Sequence, residues 1–187
     1  MKKLFSTKIL INIVVILIIL EFLTGSKGEN IFGYLILAFT ILTLFVYMKE
    51  KNDTKLMKDY RGTIIEESLD NKDVLKKVQI LSTKVESITD RHKTPWLKQW
   101  TLHFTLIPES KAENIALEIS KSFDKEHTSW YADYRNKTYH YIIFPNKIFY
   151  IERDNIEQYN QAKEYGLSLG IPPYQVDFHP EIKAWER

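Results

Sequence analysis

The chain has 187 residues, 26 basic and 24 acidic, and no cysteine, so disulfides, thiolate catalysis and thiolate metal sites are excluded. Four lysines and two glutamates precede Lys49, which leaves 22 basic and 22 acidic residues from there onward. A nucleic-acid binder gathers a basic excess on one face, and this composition offers none.

The first 48 residues carry two apolar runs. Ile9 to Leu20 is aliphatic except for Asn12, with Phe22 and Leu23 extending it past Glu21, and Ile31 to Met48 contains no charge. A membrane span takes about 20 residues. The runs therefore predict a transmembrane hairpin over residues 1–48, with helices at about 5–24 and 31–48. Thr24 to Asn30 is a tight loop between them. Lys2, Lys3 and Lys8 precede the first run and Lys49, Lys51, Lys55, Lys58 and Arg61 follow the second. That bias places both termini on the cytoplasmic side of the cell membrane. The lipid bilayer is then the first partner. A cleaved signal peptide made of the first run is the competing reading, although Thr24-Gly25-Ser26 is the only small-residue stretch after it. Asn12 and Glu21 are polar residues in a costly setting, Asn12 facing the neighbouring helix and Glu21 the interface.

Residues 49–59 read as a juxtamembrane linker or as a continuation of the second helix into water. From residue 60 to 187 the pattern is that of an α+β domain. Gly62 to Glu66 suits a strand, and Asp70-Asn71-Lys72-Asp73 caps a short helix carrying Val74, Leu75 and Val78. Ile80 to Ile88 alternates in part and reads as a further strand. Asp90 to Pro95 is a loop. Trp100 to Leu106 is the clearest strand, with Trp100, Leu102, Phe104 and Leu106 on one face and Thr101, His103 and Thr105 on the other.

Lys111 to Phe123 has the spacing of an amphipathic helix through Ile115, Ile119 and Phe123, with Ser110 and Glu113 as a capping box. Trp130 to Ile151 then reads as three strands separated by turns at Arg135-Asn136-Lys137 and Pro145-Asn146. Asp154 or Asn155 caps a last helix, whose buried face takes Ile156, Tyr159, Ala162, the Lys163 stem, Gly166 and Leu169. Gly170 and Pro172 close it. The expectation is a mainly antiparallel sheet with its helices on one face, followed by an extended tail through Tyr174 to Phe178.

Several of these stretches carry a resemblance. Trp130-Tyr131-Ala132-Asp133, His140-Tyr141-Ile142-Ile143-Phe144, Asn146-Lys147-Ile148-Phe149 and Tyr165-Gly166-Leu167-Ser168-Leu169-Gly170-Ile171-Pro172 are similar to a family of small, functionally uncharacterised prokaryotic proteins. Thr94 to Lys98 and Tyr174 to Phe178 fit the same pattern, which covers about Gly62 to Phe178. Members often lack the N-terminal hairpin, which implies a domain that folds alone. The family brings no established activity.

Candidate chemistry is sparse. His103 and Thr105 share a strand face, half of a two-histidine phosphoesterase pattern in which two imidazoles cleave a cyclic phosphate by acid–base catalysis. His140 is the partner available on a good strand, without the second hydroxyl; the plain alternative is a histidine on a half-exposed sheet. His92, His103, His127, His140 and His179 show no metal-ligand spacing, and neither a cofactor nor a metal is expected. Trp130, Tyr131, Asp133, Tyr139, Tyr141 and Arg153 are candidates for a ligand or partner surface, against the reading that half of these rings are core. The leading expectation is a tethered cytoplasmic binding module whose partner is another membrane or cytoplasmic protein, with the oligomeric state open. The alternative is a phosphoesterase-like enzyme using His103, Thr105 and His140.

Overall fold

The computed structural model describes residues 7–24 and 31–178. The chain divides into two compact units, Met1–Leu56 and Met57–Arg187. In the first, α1 spans Thr7–Thr24 and α2 starts at Ile31, running on through the polar stretch after Met48 to end at Lys58. Thr40 and Thr43 return their hydroxyls to the carbonyls of Ile36 and Phe39, so neither asks for a partner elsewhere.

The expected membrane hairpin is corrected here. Among the described residues no helix is long and apolar enough to cross a membrane. The two-span localisation rested on that crossing and falls with it. The tight loop at 25–30 and the lysines at 2 and 3 lie outside the described residues.

The second unit is α+β, built on one six-stranded sheet. Its strands are β1 (Tyr60–Ile65), β2 (Gln79–Ser87), β3 (Gln99–Ile107), β4 (Ala132–Arg135), β5 (Tyr139–Phe144) and β6 (Lys147–Glu152). They lie in the order β2-β3-β1-β4-β5-β6, and every neighbouring pair is antiparallel. The turns form as the sequence dictates. Asn136 accepts from the amides of Thr138 and Tyr139 between β4 and β5, and Asn146 takes a positive φ of 58° between β5 and β6.

Two helices cover the sheet, α3 (Ala112–Ser122) and α4 (Ile156–Ser168), and they lie on opposite faces. Along β5, Tyr139, Tyr141 and Ile143 pack into a cluster with Ile115, Ala116 and Ile119 of α3. The alternating Ile142 and Phe144 pack instead with Tyr159 and Ala162 of α4 and with Ile171, Val176 and Phe178 of the tail. The expectation of helices on one face is thus corrected. The physical reason is that β5 is apolar on both sides, so both sides need cover.

Capping differs in part. Asn155 caps α4 by accepting from the Gln158 amide at 3.1 Å, and Asn71 caps a 3-10 turn over Lys72–Lys77. Ser110 does not cap α3, because a 3-10 turn over Glu109–Lys111 leads into it. Ile156 is 66% exposed rather than buried. Gly166 lets α4 approach closely: a Cβ there would stand 2.6 Å from Val176 Cγ1 and 3.3 Å from the Phe144 ring.

Candidate functional site

The register decides which candidate residues meet. His103 lies opposite Ile64, whereas His140 lies opposite Arg135, which in turn lies opposite Arg61. Ile64 and Arg61 are three residues apart on β1, so the two imidazoles project from opposite faces of the sheet. No single pocket can hold both. The geometry required for two-imidazole cleavage, with Thr105 beside them, is absent; Thr105 is buried and donates to the Gly62 carbonyl at 3.2 Å.

Each histidine instead anchors its own polar line. On the α3 face, His103 is 7% exposed, with Nε2 at 2.9 Å from Glu66 Oε2 and Nδ1 at 2.9 Å from Thr83 Oγ1. Glu66 also takes a 2.8 Å contact from Lys72 Nζ. Hydrogen bonds from Lys72 and then His103 hold its carboxyl below the usual glutamate range, against the opposing effect of burial. An ionised carboxylate only accepts, so Nε2 donates to Glu66, and in the neutral imidazole Nδ1 then accepts from the Thr83 hydroxyl. Glu67 stands beside this line, accepting from the Thr101 amide and hydroxyl, both at 2.7 Å.

On the opposite face His140 is fully buried, with Nε2 at 2.9 Å from Asp133 Oδ2 and Nδ1 at 3.1 Å from the Tyr159 hydroxyl. Burial pushes the Tyr159 phenol up, while Arg153 and Arg135 close by pull it down. This line joins β4, β5 and α4. It satisfies polar groups that would otherwise be costly inside the second cluster.

The six aromatic and charged candidates do not form one surface. Trp130, Tyr139 and Tyr141 belong to the α3 side, and Trp130 is buried with its indole N–H lacking a partner among the described residues. Tyr139 stacks on Tyr150 with centroids 4.7 Å apart, and Tyr141 lies 5.3 Å from Tyr60 and 5.1 Å from Tyr134. Burial, the first cause, pushes Tyr141 up to about 12. Tyr131 and Asp133 belong to the α4 side, where the Tyr131 hydroxyl donates to the Gln175 carbonyl at 2.8 Å. Arg153 donates to the Asn136 carbonyl at 3.1 Å and helps close the β4–β5 turn. Among the described residues no group of His, Asp and Glu is arranged to hold a metal ion, and His179 lies outside them.

What sequence reasoning missed is the orientation of β3. Its polar face, His103 and Thr105, is the buried one. Leu102, Phe104 and Leu106 point the other way, are only partly buried and belong to neither apolar cluster. Leu81 of β2 is 49% exposed, in the irregular step between Ile80 and Ser82, where Ser82 pairs with Phe104. The second cluster, built around α4, contains no residue of β1, β2 or β3. The sheet therefore carries an apolar row over β3 that α4 does not reach.

No protein family, curated protein or solved structure matches the chain.

Proposed function

We propose that residues 57–187 form a binding module whose docking surface is the apolar row of Leu102, Phe104 and Leu106, extended by Leu81. The observation that carries this reading is the inversion of β3: beyond Trp100, which packs on the first cluster, its apolar face of Leu102, Phe104 and Leu106 is partly buried and belongs to neither core cluster. Such a breach of inside–outside patterning is expected where function claims the surface. Three strands at about 4.8 Å spacing make a strip 10–14 Å wide, and a helix with its side chains is about 10–12 Å across. The occupant that fits beside α4 is accordingly one amphipathic helix of a partner protein, with the rim of Lys84, Glu86 and Gln79 meeting its polar flanks.

The test is a photo-reactive phenylalanine analogue at position 104 of the full chain, irradiated in cells, with position 164 on α4 as control. One discrete adduct at 104, mapping to a helical segment of another protein, is expected. Adducts absent at 104, or equally abundant at 164, would overturn the reading.

A second reading rests on the order hydroxyl, imidazole, carboxylate in Thr83, His103 and Glu66, which is how an enzyme activates a nucleophile. Thr83 is exposed on the edge strand and can meet an acyl ester. Its oxygen would bond to the ester carbonyl carbon as its proton passes to His103 Nδ1 and the alkoxide or phenolate leaves. Mass spectrometry after incubation with p-nitrophenyl acetate decides this: acetyl on Thr83 that disappears in His103→Gln supports it, and an unmodified Thr83 removes it.

A further inference from the structure

β2 ends the sheet, and eight of its nine residues are exposed. Ile80, Leu81 and Val85 are 41%, 49% and 58% exposed, a long apolar edge of the kind proteins usually blunt. Its regular part is bounded on one side by the irregular step between Ile80 and Ser82. On the other side pairing continues one residue past the strand, where the Ile88 amide donates to the Lys98 carbonyl at 3.2 Å. The regular edge is thus Ser82 to Ile88, and Val85 is its centre.

That segment is complementary to itself. Lys84 and Glu86 flank Val85, project from the same face and already pair within the chain at 2.6 Å. Glu86 also has His92 Nε2 at 3.6 Å. A two-fold axis through Val85 pairs an antiparallel copy so that Lys84 of each chain lies directly opposite Glu86 of the other. Thr83 then lies opposite Ser87, and Val85 opposite Val85. Opposite charges directly across an antiparallel pair stabilise it, and like charges there do the reverse. A closed two-fold arrangement also caps the edge, since each β2 is used once.

From this we infer that two copies of the chain join through β2 edge to edge, making one continuous sheet across the dimer. The joined sheet brings the two Leu102–Phe104–Leu106 rows onto one surface and so presents two docking strips to a partner. The pairing itself does not depend on that docking.

The absence of native cysteine makes the test direct. In the full chain, Val85→Cys places two thiols across the axis, and mild oxidation is expected to yield a disulfide-linked dimer, while Glu164→Cys on α4 stays monomeric on a non-reducing gel. Adding Lys84→Glu to Val85→Cys sets Glu against Glu twice and should weaken association about tenfold. Adding Glu86→Lys as well restores opposite charges and should restore the dimer. The restored variant should not cross-link efficiently with the singly substituted Val85→Cys chain, because their charges then clash. Equal cross-linking at positions 85 and 164, or a yield at 85 indifferent to the charge reversals, would overturn the pairing. A Phe104→Ser variant that still cross-links through Val85→Cys while losing its partner adduct separates this inference from the docking reading.

Discussion

Gly62 faces Tyr134 across β1 and β4 at a distance that admits no side chain: a Cβ on Gly62 would stand 1.9 Å from the Asp133 carbonyl oxygen and 2.5 Å from Tyr134 Cα. The obstacle is backbone, which cannot rotate away. Tyr134 is fully buried, its hydroxyl donating to the Ala112 carbonyl at 2.5 Å, so this contact ties the middle of the sheet to the start of α3. Gly62→Ala should cost at least about 2 kcal/mol. Thermal unfolding of the variant should show a midpoint lower by about 4–8 °C. An unchanged midpoint would mean that β1 and β4 lie further apart than described.

The line Asp133–His140–Tyr159 is expected to be structural. Tyr159→Phe removes the hydroxyl that His140 Nδ1 faces and should cost about 1–2 kcal/mol. His140→Ala also opens a cavity and removes a partner from both Asp133 and Tyr159, so it should cost more, about 3 kcal/mol. Urea unfolding of both variants gives the comparison, and equal small losses would show that the imidazole is not the hub.

Glu66 gives a pH dependence with a definite sign. Its carboxyl is held below the usual glutamate range, first by Lys72 and then by His103. A depressed folded-state value stabilises the protein above the unfolded value, and that contribution is lost as pH falls through the folded value. The stability difference between the wild type and Glu66→Gln should therefore be constant near neutrality and shrink below about pH 4.5. A difference that grows on acidification would contradict the Lys72 and His103 contacts.

Two phenylalanines separate core from surface. Phe144 is fully buried between α4 and the tail, touching Tyr131, Phe149, Tyr165 and Phe178 by ring contacts of 5.2–6.2 Å. Phe144→Ala should cost about 3–5 kcal/mol. Phe104→Ser should cost less than about 1 kcal/mol, because Phe104 belongs to neither cluster. Calorimetry of the two variants should show this ordering, and a reversed one would place Phe104 inside a core.

Much of the second unit was legible residue by residue. The three strands after Trp130 and their turns followed from alternation and from Asn136 and Asn146, whose side-chain chemistry is local. Asn155 as a cap was equally local. Ser110 failed as a cap because the chain entered α3 through a 3-10 turn, a choice made by Pro108 and the start of the helix together. The sets that turned out to be joined, Thr83 with His103 and Glu66, or Asp133 with His140 and Tyr159, were not legible. Their members are 7–37 residues apart and meet only through strand register or helix docking.

The division has one physical cause. Periodicity, turn residues and caps act within a few residues, so the sequence by itself determined where strands and helices run and that the second unit is α+β. Which face of a strand is buried depends on what lies above it, and that is a long-range decision. Glu66 just after β1, Thr83 of β2 and the Gly62 carbonyl satisfied His103 and Thr105 on the buried face of β3, while the α4 cluster on the other face took in no residue of β1, β2 or β3. The apolar row of Leu102, Phe104 and Leu106 was therefore left outside by the tertiary structure alone, as was the open edge of β2.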